Sequence, residues 1–247
     1  MQKSIGTYDN PQPKISVISP SVRPEGLALV NKALRRQTFT DFEWLVVSPQ
    51  DYGFGKWVKE PPKNEEDYWG LNKAMNEAIR QAKGELVVSW QDWTYAKPNA
   101  LEKFWQHYSL DHKKIVSGVG NKYQDESWSV VVWQDPRIRS DYGTFYPCFF
   151  NDIEFNFCAL PLNAFYAVGG YDEYLDKMAG MDGYSVVERL NLLNDGWDFY
   201  LDQANESFSL EHGRLSKDWD EKNWLPRWDK EVRPRYVANP ILGYLTI

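Results

Sequence analysis

Blocks of apolar residues alternate with helix-period stretches through the first half of the chain. "KISVIS", Lys14 to Ser19, is a β-branched run, and after "PSVRPEG" the segment "LALVNKALRRQ" puts Leu27, Val30 and Leu34 on one helical face. "FEWLVVSPQD" reads as a second strand ending near Val47. "DYWGLNKAMNEAIRQAKG" gathers Leu71, Met75, Ala78, Ile79 and Ala82 on one face, with Gly84 suited to the position just past the helix end, and "ELVVS" follows as a third strand. Strands separated by helices of this length pair in parallel through right-handed crossovers. Beyond Gln106 the rhythm changes. "KKIVSGVGNKY" and "WSVVVWQD" read as strands, "RIRSDYGTFYPCFFNDIEF" as an aromatic irregular stretch, and "CALPLNAFYAVGG" as a short helix ending at Gly169–Gly170. A further helix carries Val186, Val187, Leu190 and Leu193 inward, and a strand starts at Trp197. The segment after His212 has no clear period and reads as a flap or an arm.

With 247 residues and 43% apolar side chains, the chain can bury a sizeable core. A net charge of −7 argues against a surface that wraps nucleic acid or lies on anionic lipid. "MQKSIGTYDNPQPK" lacks the apolar core of a signal peptide, and the uncharged run before Tyr171 is broken by proline, asparagine and glycine, so a cytoplasmic protein without a membrane span is expected. Cys148 and Cys158 form neither a metal-ligand spacing nor a disulfide framework and read as small buried residues. Twelve tryptophans and fifteen tyrosines offer many flat faces for packing or for stacking on sugar rings.

In open sheets of this kind ligands collect beyond the carboxyl ends of the strands. Three loops leave such ends here, "PSVRPE", "SPQDYG" and "WQDWTY", and the last carries a lone carboxylate, Asp92, after an apolar run. A loop residue that caps or solvates the turn is the competing reading of Asp92. No G-x-G-x-x-G opens the first helix and no P-loop motif is present, which argues against a dinucleotide cofactor or a P-loop nucleotide site.

Three ordered segments carry a resemblance. "ISVISPSVRPEGLALVNKALRRQTFTDFEWLVVSPQ", "LNKAMNEAIRQAKGELVVSWQDWTYAKPNALEKF" and "VGGYDE" followed by "GMDGYSVVERLNLLNDGW" resemble, in that order, the first strand–helix–strand, the acidic-motif segment and the acceptor-side segment of family-2 glycosyltransferases. The likeness spans Ile15 to His212. It implies a GT-A fold, an α/β architecture with a mostly parallel central sheet and helices on both faces. It further implies one domain over residues 1–212, with a donor-binding half at 14–106 and an acceptor-side half at 107–212, and a tail over 213–247.

Members of that family pass a sugar from a nucleoside diphosphate sugar, here a UDP-sugar by resemblance, to an acceptor hydroxyl with inversion. The leaving diphosphate needs its charge stabilised, commonly by Mn2+ or Mg2+, and the acceptor needs a base. The resemblance puts Asp92 in the role of metal or donor ligand. Of the usual acidic cluster, "QDW" keeps only that one carboxylate, with Gln91 left to hydrogen-bond ribose or sugar. His212 falls where relatives place a late metal-ligating histidine. Asp182 matches the base, with a helix cap as the competing role and Glu188, otherwise an exposed helix residue, as the substitute. Donor contacts are expected from Pro20, Ser21, Arg23, Ser48 and Gln50, and from Lys73 and Asn76, which lie three apart and either face the site or form a solvated helix face. A glycosyltransferase fold that binds a nucleotide sugar or glycan without turnover is the alternative, and a nucleotidyltransferase is a third reading that "PSVRPEG" only faintly supports.

Overall fold

The β-branched runs of the first half form strands covered on both faces. The structure, a computed structural model, describes residues 11–178, 182–212 and 227–246. β1 (Ile15–Pro20), β2 (Phe42–Ser48), β3 (Lys56–Lys59) and β4 (Leu86–Trp90) run parallel in the order β3-β2-β1-β4. Along each central strand alternate residues enter two separate cores. Ile18, Leu45, Val47 and Val87 point to one, and Ile15, Val17, Trp44, Val46, Leu86 and Val88 to the other. A charge on either face of β1 would therefore have no solvent side to reach, which is why these strands read as unbroken apolar runs.

α1 (Pro24–Leu34) covers the second core through Leu27, Val30, Ala33 and Leu34, together with α3 (Ala100–Leu110). α2 (Leu71–Gln81), α4 (Leu162–Ala167) and α5 (Asp182–Leu193) cover the first. The expected α/β architecture, with helices on both faces, is what the chain adopts. α2 stops at Gln81, and Gly84 is needed for another reason than a helix end. A Cβ there would lie 2.5 Å from the Ser16 backbone nitrogen, so the turn into β4 passes against β1 at a distance only glycine allows.

In the second half the sheet turns mixed. β5 (Thr94–Ala96), β6 (Lys114–Tyr123), β9 (Phe157–Pro161) and β10 (Asp198–Leu210) continue it in the order β4-β9-β6-β10-β5, with β7 (Val131–Trp133) on β6 and β8 (Phe145–Pro147) on β10. β9 is antiparallel to both β4 and β6, while β6 and β10 pair in parallel. The strand β9 occupies the beginning of a segment expected to be helical. Phe157 to Leu160 are all buried, and the helix starts only after Pro161.

Of the segment expected to be a flap or an arm, residues 213–226 lie outside the described residues. Within the described residues 227–246, a π-helical turn over Trp228–Val232 leads into α6 (Arg233–Ala238). Trp228, Val232 and Tyr236 are buried against Leu175 and Met178, and Leu245 enters the first core. Asp172, itself fully buried, accepts from Arg235 (2.9 Å), Tyr236 (2.9 Å) and Tyr244 (3.2 Å), so the tail is pinned to the "VGGYDE" segment. Cys158 is buried and Cys148 half-buried, both unbridged. No helix among the described residues is long and apolar enough to cross a membrane.

Candidate functional site

The carboxyl ends of β1, β2 and β4 are tied to one another before any loop leaves them. Ser19 Oγ donates to the Trp90 carbonyl (2.6 Å) and accepts from Trp44 Nε1 (3.0 Å), joining all three strands. Ser21 extends the tie, its backbone N–H donating to the Val47 carbonyl (2.9 Å). Loops that start from so fixed an edge carry their side chains at defined positions.

At that edge Asp92 is held by the first loop. Arg23 reaches it as a fork, Nε to Oδ2 at 3.0 Å and Nη2 to Oδ1 at 2.7 Å, and Ser21 Oγ donates to Oδ2 at 2.6 Å. The carboxylate is 7% exposed and the arginine side chain 20%. Desolvation at this depth is offset because every charge has a partner in good geometry. Arg23 directly precedes α1, whose first helical residue is Pro24, and no side chain caps the helix. Gly26 in the first turn lets the Asp92 turn close. A Cβ on it would lie 2.9 Å from Asp92 Cβ and 2.7 Å from the Trp93 ring. Trp93 has φ 61, an unusual conformation for a bulky residue, and it turns the chain from β4 into β5 while its carbonyl accepts from Leu210.

His212 joins the group from the end of β10. Its Nδ1 lies 2.7 Å from Arg23 Nη1, and because a guanidinium only donates, that nitrogen is the acceptor. Its ring lies 6.0 Å from that of Trp93. Ser21, Arg23, Asp92 and His212 thus converge, all four expected at the site from the sequence. Pro20 and Gln91 sit half-buried at the same edge, and Gln91 donates its backbone N–H to the Asn156 carbonyl (3.0 Å). Ser48 Oγ is turned to the Gln50 carbonyl (2.7 Å), closing the second loop and leaving Gln50 exposed.

Lys73 and Asn76 are committed elsewhere. The Lys73 ammonium pairs with Asp67, and Asn76, fully buried, gives both amide hydrogens away, to the Tyr171 carbonyl (3.0 Å) and to Glu173 (2.9 Å). Their spacing fits the tie between α2 and the segment at 171–176, where Asp176 accepts the Asn72 and Lys73 backbone N–H groups at 2.9 and 3.2 Å. Both residues, expected as donor contacts, thus have their side chains on Asp67 and on the 171–173 segment.

Asp182 opens α5. Its neighbour Gly183 lies against the ring of Phe155, on which a Cβ would close to 2.0 Å, and the Phe155 carbonyl accepts from Ser89 in β4. The start of α5 is therefore packed onto the end of the strand that leads to Asp92. Glu188, expected to be exposed, is 4% exposed, with Oε2 accepting from Trp228 Nε1 (2.8 Å) and Oε1 from Arg233 Nε (2.6 Å). It anchors the tail.

Glu154 is a carboxylate that sequence reasoning passed over. It precedes Phe155 at the same edge, burial pushes its carboxyl above the ordinary range, and Arg137 Nη2 lies 3.3 Å from Oε2. Only the position of β9 identifies it, and β9 was read as helix. Two buried polar atoms beside the edge, Trp93 Nε1 and Asn156 Oδ1, have no hydrogen-bond partner among the described residues.

The residues do not fit the divalent cation that the resemblance implied. Both Asp92 oxygens already accept from a cation, His212 Nδ1 is directed at that same cation, and no three His, Cys, Asp or Glu residues come together among those described.

Neither a protein-family model nor a curated protein matches the chain. Among solved structures, residues 1–349 of S. aureus TarS in complex with UDP are similar at 14% identity and a TM-score of 0.58, covering 90% of this chain and 73% of that one. A second structure of S. aureus TarS 1–349 is similar at 15% identity and a TM-score of 0.57, covering 80% and 60%. With the strand order and the two helical layers, these likenesses show that the chain has the GT-A glycosyltransferase fold.

Proposed function

We propose that the protein transfers a sugar from a nucleoside diphosphate sugar, a UDP-sugar, to an acceptor hydroxyl with inversion at the anomeric carbon. The observation that carries this reading is the Ser21–Arg23–Asp92–His212 cluster at the carboxyl edge of β1 and β4, where α/β sheets take their ligands. The fold shared with a protein solved in complex with UDP supports it.

The donor lies along Pro20, Ser21, Arg23, Ser48, Gln50, Gln91 and Asp92. Asp182, at the start of a helix packed on the end of β4, takes the acceptor proton as the acceptor oxygen bonds to the anomeric carbon and the bond to diphosphate breaks. The same reading puts the protein in the cytoplasm. A second reading is a nucleotide-sugar binder without turnover, and the fork that occupies both Asp92 oxygens favours it.

One experiment separates the readings. Nucleoside diphosphates are screened for a raised melting midpoint, since a ligand of the native state stabilises it, and UDP-sugars are then assayed for release of UDP. UDP stabilisation with release supports the transferase, and stabilisation without release the binder. No nucleotide effect at all would refute both.

A further inference from the structure

We propose that the Arg23 guanidinium, with Asp92 as its fixed counter-ion, is the positive group that receives the donor diphosphate, in place of a divalent cation. The inference rests on the nucleotide-sugar reading for its ligand class, and its own ground is the geometry of the fork. A cation approaching Asp92 would have to share oxygens that already accept from Nε at 3.0 Å, from Nη2 at 2.7 Å and from Ser21 Oγ at 2.6 Å. That would put a second positive charge against the guanidinium on a single carboxylate. The fork instead fixes the guanidinium plane, a bidentate arrangement that an ammonium cannot reproduce.

The third arm of the group shows where a ligand enters. Nη1 lies on His212 Nδ1 at 2.7 Å, and His212 is exposed at the rim. A phosphate oxygen makes a charge-assisted bond to the same N–H and replaces the neutral imidazole there. The start of α1 adds a partial positive charge beside Arg23. In the transfer step the electron pair of the breaking C–O bond goes to the diphosphate, the acceptor proton goes to Asp182, and the added negative charge is met by Arg23.

Calorimetric titration with inorganic pyrophosphate, in EDTA and separately in excess magnesium, tests the inference on the full chain. Equal affinity in the two buffers is expected, with a loss of about ten- to hundred-fold in Arg23→Gln, the worth of a charge-assisted bond. Arg23→Lys, which keeps the charge but not the fork, should fall between. Because Arg23→Gln leaves Asp92 buried without its counter-ion, the double variant Arg23→Gln/Asp92→Asn is titrated alongside and should lose the same affinity. Pyrophosphate that binds only with magnesium, or in neither buffer, or equally well to both glutamine variants, overturns the inference. Metal-dependent UDP-sugar turnover would in that case leave the transferase reading standing. Metal-independent pyrophosphate binding lost with Arg23, in a protein that turns over no UDP-sugar, supports the inference and sinks the transferase reading instead.

Discussion

Glu188→Ala removes a carboxylate on which two donors from the tail converge, and its cost can be built up from the partners. Trp228 is 1% exposed, so its indole N–H, now 2.8 Å from Oε2, has no water to turn to. A buried donor left unpaired costs about 1–3 kcal/mol. Arg233 is 42% exposed and also pairs with Asp229, so its share is at most about 1 kcal/mol. The sum is roughly 1–4 kcal/mol, which for a chain of this size lowers the melting midpoint by roughly 2–16 °C. Glu188→Gln keeps an acceptor and should cost about 1 kcal/mol. Trp228→Phe keeps most of the ring and deletes the donor, so a double-mutant cycle with Glu188→Ala should give a coupling of about 1–2 kcal/mol. Urea unfolding followed by tryptophan fluorescence measures the parent and the four variants, and the slope should stay constant while the midpoint moves. The reasoning fails if Glu188→Ala and Glu188→Gln both stay within about 0.5 kcal/mol of the parent. It fails equally if either variant, fully folded and with an unmoved midpoint, loses sugar transfer by about a hundred-fold, because that is the mark of a base.

Two further predictions concern carboxylates on the same side of the sheet. Asp182→Asn should leave the melting midpoint near that of the parent, since asparagine caps a helix about as well as aspartate, while sugar transfer falls by about two to four orders of magnitude; transfer at the parent rate would remove Asp182 from the chemistry. Burial pushes the Asp176 carboxyl up to about 6 from 3.8, against hydrogen bonds from Asn72 and Lys73 that lower it and with Asp67 raising it further. The folded chain therefore binds this proton more tightly than the unfolded one, so the contribution is complete below 3.8 and is lost as pH rises through about 6. The stability of the parent relative to Asp176→Asn should grow by about 2–3 kcal/mol between pH 7.5 and pH 4 in urea titrations, and a flat or shrinking difference would contradict the shift.

What could be read from the sequence follows the range of each interaction. β1, α1, β2, α2 and β4 were legible because each has a local signature, a run of β-branched residues buried on both faces or a helix-period stripe. β9 was not, because Phe157 to Pro161 and the short helix after it form one continuous apolar stretch, and only pairing with β4 and β6 divides them. Glu188 was misread as exposed for a related reason. On α5 it looks like any polar helix position, and its partners stand 40 and 45 residues further on. Asn76 faces a segment that comes almost a hundred residues later while the Lys73 ammonium turns back to Asp67, so their spacing did not give the direction of either.

Asp92 shows the limit most clearly. The strand-end rule and the resemblance both point to it, and the structure puts it just past the carboxyl end of β4, but neither could supply the residue 69 positions earlier that takes its oxygens. Losing the flanking carboxylates leaves one negative charge, and one negative charge at this depth is balanced by one guanidinium. With Trp93 in the following position and turned into the left-handed region, no neighbouring side chain in "QDW" is left to bring a second carboxylate to the cluster. Among the described residues, Arg23 and Asp92 form the ion pair at this edge. The carboxyl edge of the sheet is tied by hydrogen bonds from Ser19, Ser21 and Ser89. An edge fixed in this way is preorganised before any ligand arrives, and preorganisation is what a site needs if its positive group is to meet a leaving diphosphate without first being assembled.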